Sequence, residues 1–581
     1  MSVRPRSGVV VPELTARTAR ASNPRGTTAM WVHDHLDGLW SDEDFVSWYP
    51  RDGRPGLSPA QLATVCVLQF LLNLSDRQAA EAVRCRIDFK YALAMELDDP
   101  GFHHSVLTDF RDRLGEDDRA DQLLSLALDR IRDAGMIKER GRQRTDSTQV
   151  LAAAREFTRL ELVLEAVRAA LEEASRNTPD VLDDLVDAGW ATRYGRPVRL
   201  PNRPSHPVTR LKQAGADAHQ LLQSLPSHRR GPRAEALRKI MVQNFLVDAR
   251  GVLRPRTEKD GRPKGAARII SPYDPDARQA IRGNTRWNGS LVHVTETCDA
   301  DARVNLITDI ATTSPLRDTQ ALPGIHTRLR DRRLLPAQHL VDGGYISTTL
   351  LNDAARDHRI QLVGPVKESG AWQKKEQTGL TRDDFTIDFD RRQVTCPNGH
   401  TSKTWVEAPA MAPSTAVRFA SSQCDPCQNR PACTRGKSAR TVNFLPRHLH
   451  ELQARNRTDQ QDLHWKRLYA TRSAVEGTIC ELVNAHRARR SRYHGHRKTH
   501  VQHVLTGIAV NIERLASRAA EHLHRPRDLT AFQHYLDSRD LTWNAGGDKA
   551  NEPKSQDPRQ SRSVLANLSV LISAVLAIMD R

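Results

Sequence analysis

Three acidic residues, far apart in the chain, sit in settings that suit joint metal chemistry. Asp146 lies in Gln143-Arg144-Thr145-Asp146-Ser147-Thr148 and Asp342 in Leu340-Val341-Asp342-Gly343-Gly344-Tyr345, while Glu476 follows Tyr469 and Arg472 in a Tyr-x2-Arg-x3-Glu pattern. Two-metal phosphodiester chemistry needs carboxylates that bridge and flank cations about 3.5–4 Å apart, one activating the attacking oxygen and one stabilising the leaving oxygen. Mg²⁺ takes oxygen ligands and keeps several waters, so three carboxylates suffice. The 581-residue chain carries a formal charge of +17, spread along its length. Each phosphate neutralised by such a surface releases condensed counterions. Carboxylates in a basic protein therefore point to divalent metal handled beside a nucleic acid. Taken singly, the acids also fit blander roles. Asp before Gly-Gly makes a turn, and Arg472 with Glu476, four residues apart, makes a solvated helix pair.

Rigid elements must bring the three together. Residues 338–341 read as a short apolar strand leading into Asp342, with a helix near 347–357 and a further strand at 360–363. That strand–acid–helix–strand order indicates an α/β sheet. Asp146 follows a more polar strand. Residues 291–295 and 304–307 are apolar runs without clean alternation, as in strands buried on both faces. Glu476 falls on a helix expected over about 460–485, with Val475, Ile479, Leu482 and Val483 as its apolar stripe.

Upstream, residues 1–138 read as an all-α domain. Ser58-Pro59-Ala60-Gln61 and Ser75-Asp76-Arg77-Gln78 carry capping-box signals that open successive helices. The pair fits either a DNA-contacting helix-turn-helix or an ordinary packing unit. The expected catalytic core covers 139–520. It is interrupted by a helical or irregular insertion at 155–283, with helices at 155–176 and 233–246, and by a β-rich insertion at 364–445. A helix is expected at 499–518. Residues 521–581 read as a partly disordered tail. The tail ends in an apolar run at 564–579, too short for the roughly 20 residues that span a bilayer. No membrane partner is expected.

Of eight cysteines, four fall between 396 and 433. The N-terminus carries no secretory h-region, so a reducing cytoplasm is expected, where clustered Cys suggests metal before disulfide. Cys396, or His400 in its place, with Cys424-x2-Cys427-x5-Cys433 could close a structural Zn²⁺ site; four unligated thiols are the alternative. The run 487–500 sets Arg487, Arg489, Arg490, Arg492 and Lys498 around Tyr493 and Gly495, a phosphate grip or a solvated loop. No P-loop or nucleophile elbow supports ATP-driven or hydrolase chemistry. Aromatics at 5% argue against a stacking reader of single strands.

Together these motifs resemble the bacterial insertion-sequence DDE transposases, in the branch with a Tyr-x2-Arg-x3-Glu-x6-Lys signature. Further matching stretches are Gly56-Leu57-Ser58 through Phe110-Arg111-Asp112-Arg113-Leu114, Ser271-Pro272-Tyr273-Asp274-Pro275, Val292-His293-Val294-Thr295-Glu296-Thr297, Val475-Glu476-Gly477-Thr478, Arg492-Tyr493-His494-Gly495 and Lys498-Thr499-His500-Val501-Gln502-His503. The likeness runs collinearly over roughly 1–520. It implies a ribonuclease-H-like core in which Asp146, Asp342 and Glu476 bind two Mg²⁺. Water would attack the phosphodiester at a transposon end, and the freed 3′-hydroxyl would attack target DNA. Tyr469 and Arg472 would be accessory residues near the end DNA. The implied partners are double-stranded terminal repeats and target, bound by a homodimer in the cytoplasm, at the nucleoid when on DNA.

Two departures stand out. Val483 occupies the signature's Lys position, leaving Arg487, Arg489 and Arg490 as candidate phosphate contacts. Gly289-Ser290-Leu291 stands where relatives tend to have Gly-Tyr-Lys. The alternatives are a catalytically inactive DNA-binding relic and a sequence-nonspecific, metal-dependent nuclease.

Overall fold

The structure, a computed structural model, describes residues 2, 3, 5 and 10–541, apart from 37, 262, 264–266, 283, 303, 316–317, 368–370, 377–378, 409–412, 522–529 and 540. The tail run at 564–579 lies outside the described residues. The chain divides into two units, 1–519 and 520–581. In the second, the described helix Ala531–Asp537 is closed by a Thr530–Gln533 capping box. Among the described residues no helix is long and apolar enough to cross a membrane.

The first unit begins with short helices, among them Pro59–Leu71, Asp76–Cys85, Ser105–Leu114 and Arg119–Asp133. Ser58 Oγ accepts the Gln61 N–H at 3.1 Å, but the Gln61 side chain turns away to donate to the Leu93 carbonyl at 2.6 Å. Of the two boxes expected here, the one that Ser75 and Gln78 form is reciprocal. The apolar faces of these helices do not close on themselves. Leu68, Leu107, Leu123 and Leu124 belong to the same buried cluster as Val294, Ile310 and Val341 of the sheet and Val504 and Ile508 of the long helix His496–Glu521.

That sheet is built from β1 (Arg142–Leu151), β4 (Arg278–Arg282), β5 (Thr285–Thr297), β6 (Ile307–Thr313), β7 (Gln338–Val341) and β8 (Gln361–Val363), counting the hairpin β2 (Phe245–Val247) and β3 (Leu253–Pro255) between. The order is β4-β5-β1-β7-β8, with β6 also on β5. β5 is antiparallel to β1, β4 and β6, whereas β1, β7 and β8 are mutually parallel. Helix Leu322–Asp331 precedes β7, and helix Thr348–His358 makes the β7–β8 crossover that parallel strands require. β1 is thus central, with partners on both sides.

Residues 155–283 hold more helix than expected. Arg159–Asn177 and Pro232–Asn244 lie near their predicted positions, but Ala188–Tyr194 and Pro207–Ser224 are additional. They enclose a separate core around Val167, Ala214, Leu221 and Leu237. Helix Pro207–Ser224 escapes a hydropathy reading because buried Asp217 lies on its inner face, satisfied by Arg193 Nε at 2.8 Å and Tyr194 Oη at 2.6 Å. The β-rich insertion holds β9 (Thr386–Asp388) paired with β10 (Gln393–Thr395), and β11 (Thr404–Ala408), β12 (Ser414–Arg418) and β13 (Thr441–Phe444) as a second small sheet. The expected 460–485 helix is two, Leu463–Ala470 and Val475–Asn484, joined by a 3-10 turn, Thr471–Ala474.

Candidate active site

Asp146 occupies the middle of β1, which runs parallel to β7 with Thr145 opposite Val341. The next residues along the two backbones are Asp146, within β1, and Asp342, just past the end of β7, so the two acids start about one inter-strand spacing, roughly 4.8 Å, apart. After Asp342 the backbone folds back, the Tyr345 N–H donating to the Asp342 carbonyl at 2.9 Å. Tyr345 itself is buried, its hydroxyl 2.6 Å from His293 Nδ1 on β5, which anchors the turn to the sheet.

Glu476 enters from the first turn of helix Val475–Asn484, where a carboxylate suits the positive end of the helix dipole. Arg472, on the preceding 3-10 turn, joins the acids. Its Nη1 donates to Asp146 Oδ2 at 3.0 Å and its Nη2 to Glu476 Oε1 at 3.1 Å. Burial pushes the Asp146 carboxyl above its ordinary range, and the nearby Asp342 charge pushes the same way. The Ser147 N–H and Arg472 offset this only in part. Tyr469 is also held up by burial, with Asp342 and Asp146 within electrostatic reach; it stacks on Trp465 at 5.0 Å. The side chains of Asp146 and Arg472 are 14% and 13% exposed, whereas Glu476 is 63% exposed, so one wall of the site is open.

A fourth acid, Asp318, was not legible in the sequence. Ser147 Oγ donates to its Oδ1 at 3.2 Å, and its Oδ2 lies 2.5 Å from where a Cβ on Gly344 would stand. It comes from a short 3-10 turn, Asp318–Gln320, with no motif around it.

Beneath the acids, Glu296 on β5 is fully buried and organises the support. It accepts from Arg144 Nε at 2.7 Å, Thr478 Oγ1 at 2.6 Å and Arg514 Nη1 at 3.0 Å. Arg144 also donates to the Thr471 carbonyl at 2.7 Å. β1, the Arg472 turn and the Glu476 helix are thereby tied to one carboxylate.

The remaining basic candidates separate by environment. The Ser491 N–H donates to the Leu151 carbonyl at 2.9 Å, so the 487–491 loop continues the edge of β1. Arg487, Arg489 and Arg490 on that loop are exposed, and Arg489 Nη2 reaches Thr148 Oγ1 at 3.3 Å. Arg492 instead turns inward, donating to the Leu74 carbonyl at 2.8 Å with its guanidinium 4.9 Å from the Phe70 ring. Lys498 pairs with Asp112 at 2.6 Å.

The donors beside Asp146 are all carboxylate oxygens, the set that a hard divalent cation takes, and the mutual repulsion of Asp146 and Asp342 is what such a cation would relieve. Among the described residues, three ligand atoms lie within 4.8 Å of one another only at Glu481, His486 and Glu513. There Arg514 pairs with Glu481, and His486 Nε2 lies 3.0 Å from Glu513.

Residues 18–113 match the model of a transposase domain (DUF772), and residues 395–516 match that of a transposase DDE domain. The first covers most of the N-terminal helices; the second runs from the cysteine-rich insertion through Glu476 to the long helix. No curated protein and no solved structure gives a significant match. Two transposase domains, matched in order on one chain, support an insertion-sequence DDE transposase.

Proposed function

We propose that this transposase cuts DNA at the ends of its element and joins the freed 3′ ends to target DNA, with Asp146, Asp342 and Glu476 holding two Mg²⁺ ions. The observation that carries the reading is a single guanidinium, Arg472, hydrogen-bonded to Asp146 and Glu476 at once. Strand register supports the third member, since Asp342 follows the residue opposite Thr145. Bound metal would supply activation of the attacking oxygen and neutralisation of the leaving one. Water attacks phosphorus at the element end, and the element's 3′-oxygen leaves and takes up a proton. In the second step that 3′-hydroxyl attacks a target phosphorus in line, displacing a target 3′-oxygen.

The chain's own residues orient this chemistry. Arg472 holds Glu476 towards Asp146, and Tyr469 packs beside it against the end DNA. Arg487, Arg489 and Arg490 contact backbone phosphates from the loop alongside β1, in place of the missing signature Lys. Arg492 fixes that loop, and Lys498 the long helix, to the N-terminal helices. Those helices assist in binding the element ends, and a homodimer on DNA brings two ends together. The mixed sheet, with antiparallel β5 and β6 followed by parallel β7 and β8, agrees with a ribonuclease-H-like core. Neither the fold nor the matched domains support an inactive relic.

The test is cleavage of DNA carrying the gene's own flanking sequences, with Mg²⁺ or Mn²⁺, by the wild type beside Asp146→Asn, Asp342→Asn and Glu476→Gln. Metal-dependent cuts at the element ends, absent from all three variants, are expected. Binding without cutting by the wild type would overturn the proposal, and cutting without end specificity would reduce it to a nuclease.

A further inference from the structure

The β-rich insertion has a stability problem that the catalytic reading does not address. Its strands β9 to β13 are three to five residues long. The fully buried apolar residues between them are Phe385, Val394, Val417, Phe419, Val442 and Phe444. Segments of this size with so small a core normally need a staple, a disulfide or a metal. All four of its cysteines are free thiols.

Those thiols converge. Cys396, Cys424, Cys427 and Cys433 line one cavity beside Phe385 and Phe419. Cys396 leaves β10 into a tight knuckle, where its N–H donates to the His400 carbonyl at 2.9 Å and the Gly399 N–H returns to its own carbonyl at 2.8 Å. Gly399 has φ +79°, a conformation that costs glycine little. Cys424 ends the short helix Ser421–Cys424, and Cys433 ends the helix Arg430–Cys433. Burial raises the Cys433 thiol, Arg440 opposes this, and the other three sulfurs lie close enough to raise it further.

Groups behind the thiols are already oriented. Asn398 Nδ2 donates to Cys427 Sγ at 3.1 Å, and Asn429 Nδ2 holds Asn398 Oδ1 at 2.8 Å. N–H donors to sulfur are what stabilise thiolate ligands from the outer shell. The Cys433 carbonyl is held by Gln373 at 3.1 Å and Arg440 at 2.6 Å. His400 also lines the cavity but is exposed, whereas Cys396 is half-buried beside the other thiols and is the better placed fourth donor.

We infer that Cys396, Cys424, Cys427 and Cys433 form a structural Zn²⁺ site that staples the β-rich insertion. Four sulfurs, one from the Cys396 turn and three from the 424–433 segment, suit a closed tetrahedral site. No three of them stand within 4.8 Å of one another. A zinc–sulfur distance of about 2.3 Å demands closer spacing, so metal binding draws the side chains inward by χ1 rotation, with loss of the thiol protons. The site would hold a scaffold and stand apart from the DDE acids, so its test does not depend on cleavage.

The experiment is metal analysis of the reduced full-length chain, followed by exchange into Co²⁺. Expected is about one zinc per chain, and on exchange a thiolate-to-cobalt charge-transfer absorption, as four sulfur ligands require. Cys424→Ser and Cys433→Ser should each weaken binding at least about tenfold, whereas Cys85→Ser, an exposed thiol elsewhere, should leave it unchanged. Should the serine variants fail to fold, the cobalt spectrum of the wild type still decides. Absence of zinc with no charge-transfer absorption would overturn the inference. So would zinc that survives Cys424→Ser but is lost in Glu481→Gln, which would assign the metal to the Glu481–His486–Glu513 cluster.

Discussion

Arg472 has two effects that pull against each other. Its guanidinium offers parallel donors, so one side chain reaches Asp146 and Glu476 together, which a lysine's point charge would not do with the same geometry. It orients the helix carboxylate, yet its positive charge occupies oxygens that a metal would need. Arg472→Ala is therefore expected to separate binding from chemistry. In DNA-free protein, Mn²⁺ affinity followed by calorimetry should rise about tenfold, equivalent to ~1.4 kcal/mol of relieved competition. End cleavage at saturating metal should fall at least about tenfold, since Glu476 loses its tether. If affinity and cleavage fall together, the guanidinium serves only to assemble the carboxylates.

At the scale of elements, the site depends on β1 and on what grips it. Glu296 is 0% exposed and Arg144 nearly so, and Arg514 closes the same group from the long helix. Removing one partner of such a set leaves uncompensated buried charge. Glu296→Ala should cost about 3–5 kcal/mol in urea unfolding. A smaller loss, below ~1 kcal/mol, would mean that water replaces the carboxylate there. The pairing of β1 with β5 has its own constraint. At Gly289, φ +155°, a Cβ would stand 1.9 Å from the Val150 carbonyl oxygen and 2.9 Å from the Ala152 nitrogen. Both obstacles are backbone, so Gly289→Ala should destabilise by more than about 3 kcal/mol and appear as a large drop in Tm. A variant with unchanged Tm would show that the strand end can spread.

The same elements explain what the sequence disclosed. Asp342 was legible because the apolar pair Leu340-Val341 runs straight into it and Gly343-Gly344 marks the turn. Asp146 was harder to place because the residues before it, Gln143, Arg144 and Thr145, are buried polar groups, satisfied by the Leu334 carbonyl, Glu296 and His339. Hydropathy reads such a strand as surface. Strand β6 suffered similarly: expected at 304–307, it runs Ile307–Thr313 through Thr308 and Asp309, both fully buried and paired. Asp318 had no local signal at all, because it is the fold, through the Ser147 contact and the Gly344 turn, that brings it near.

Across the whole first unit, the N-terminal helices are not a detachable module. They share one apolar core with the sheet and the long helix, and a charged node ties the three together. Asp121, on helix Arg119–Asp133, accepts from Arg332 Nη2 at 2.7 Å and lies 3.1 Å from His500 Nε2 on the long helix. Arg332 and Arg328 also grip fully buried Asp309 on β6. Burial alone would raise the Asp121 carboxyl, but the His500 hydrogen bond and the Arg332 and Arg328 charges outweigh it and hold it at about 2. A carboxyl depressed in the folded state binds fewer protons there than when unfolded. Its contribution is thus fully present above the unfolded value near 3.8 and drains away as pH falls towards about 2. The depression corresponds to about 2 kcal/mol. Asp121→Asn should therefore lower the urea stability of the full chain by roughly that amount at pH 7, and the gap to wild type should narrow below about pH 4. A gap that stays constant down to pH 3 would mean that Asp121 contributes through packing and neutral hydrogen bonds, leaving Asp309 as the charge that holds the helices to the sheet.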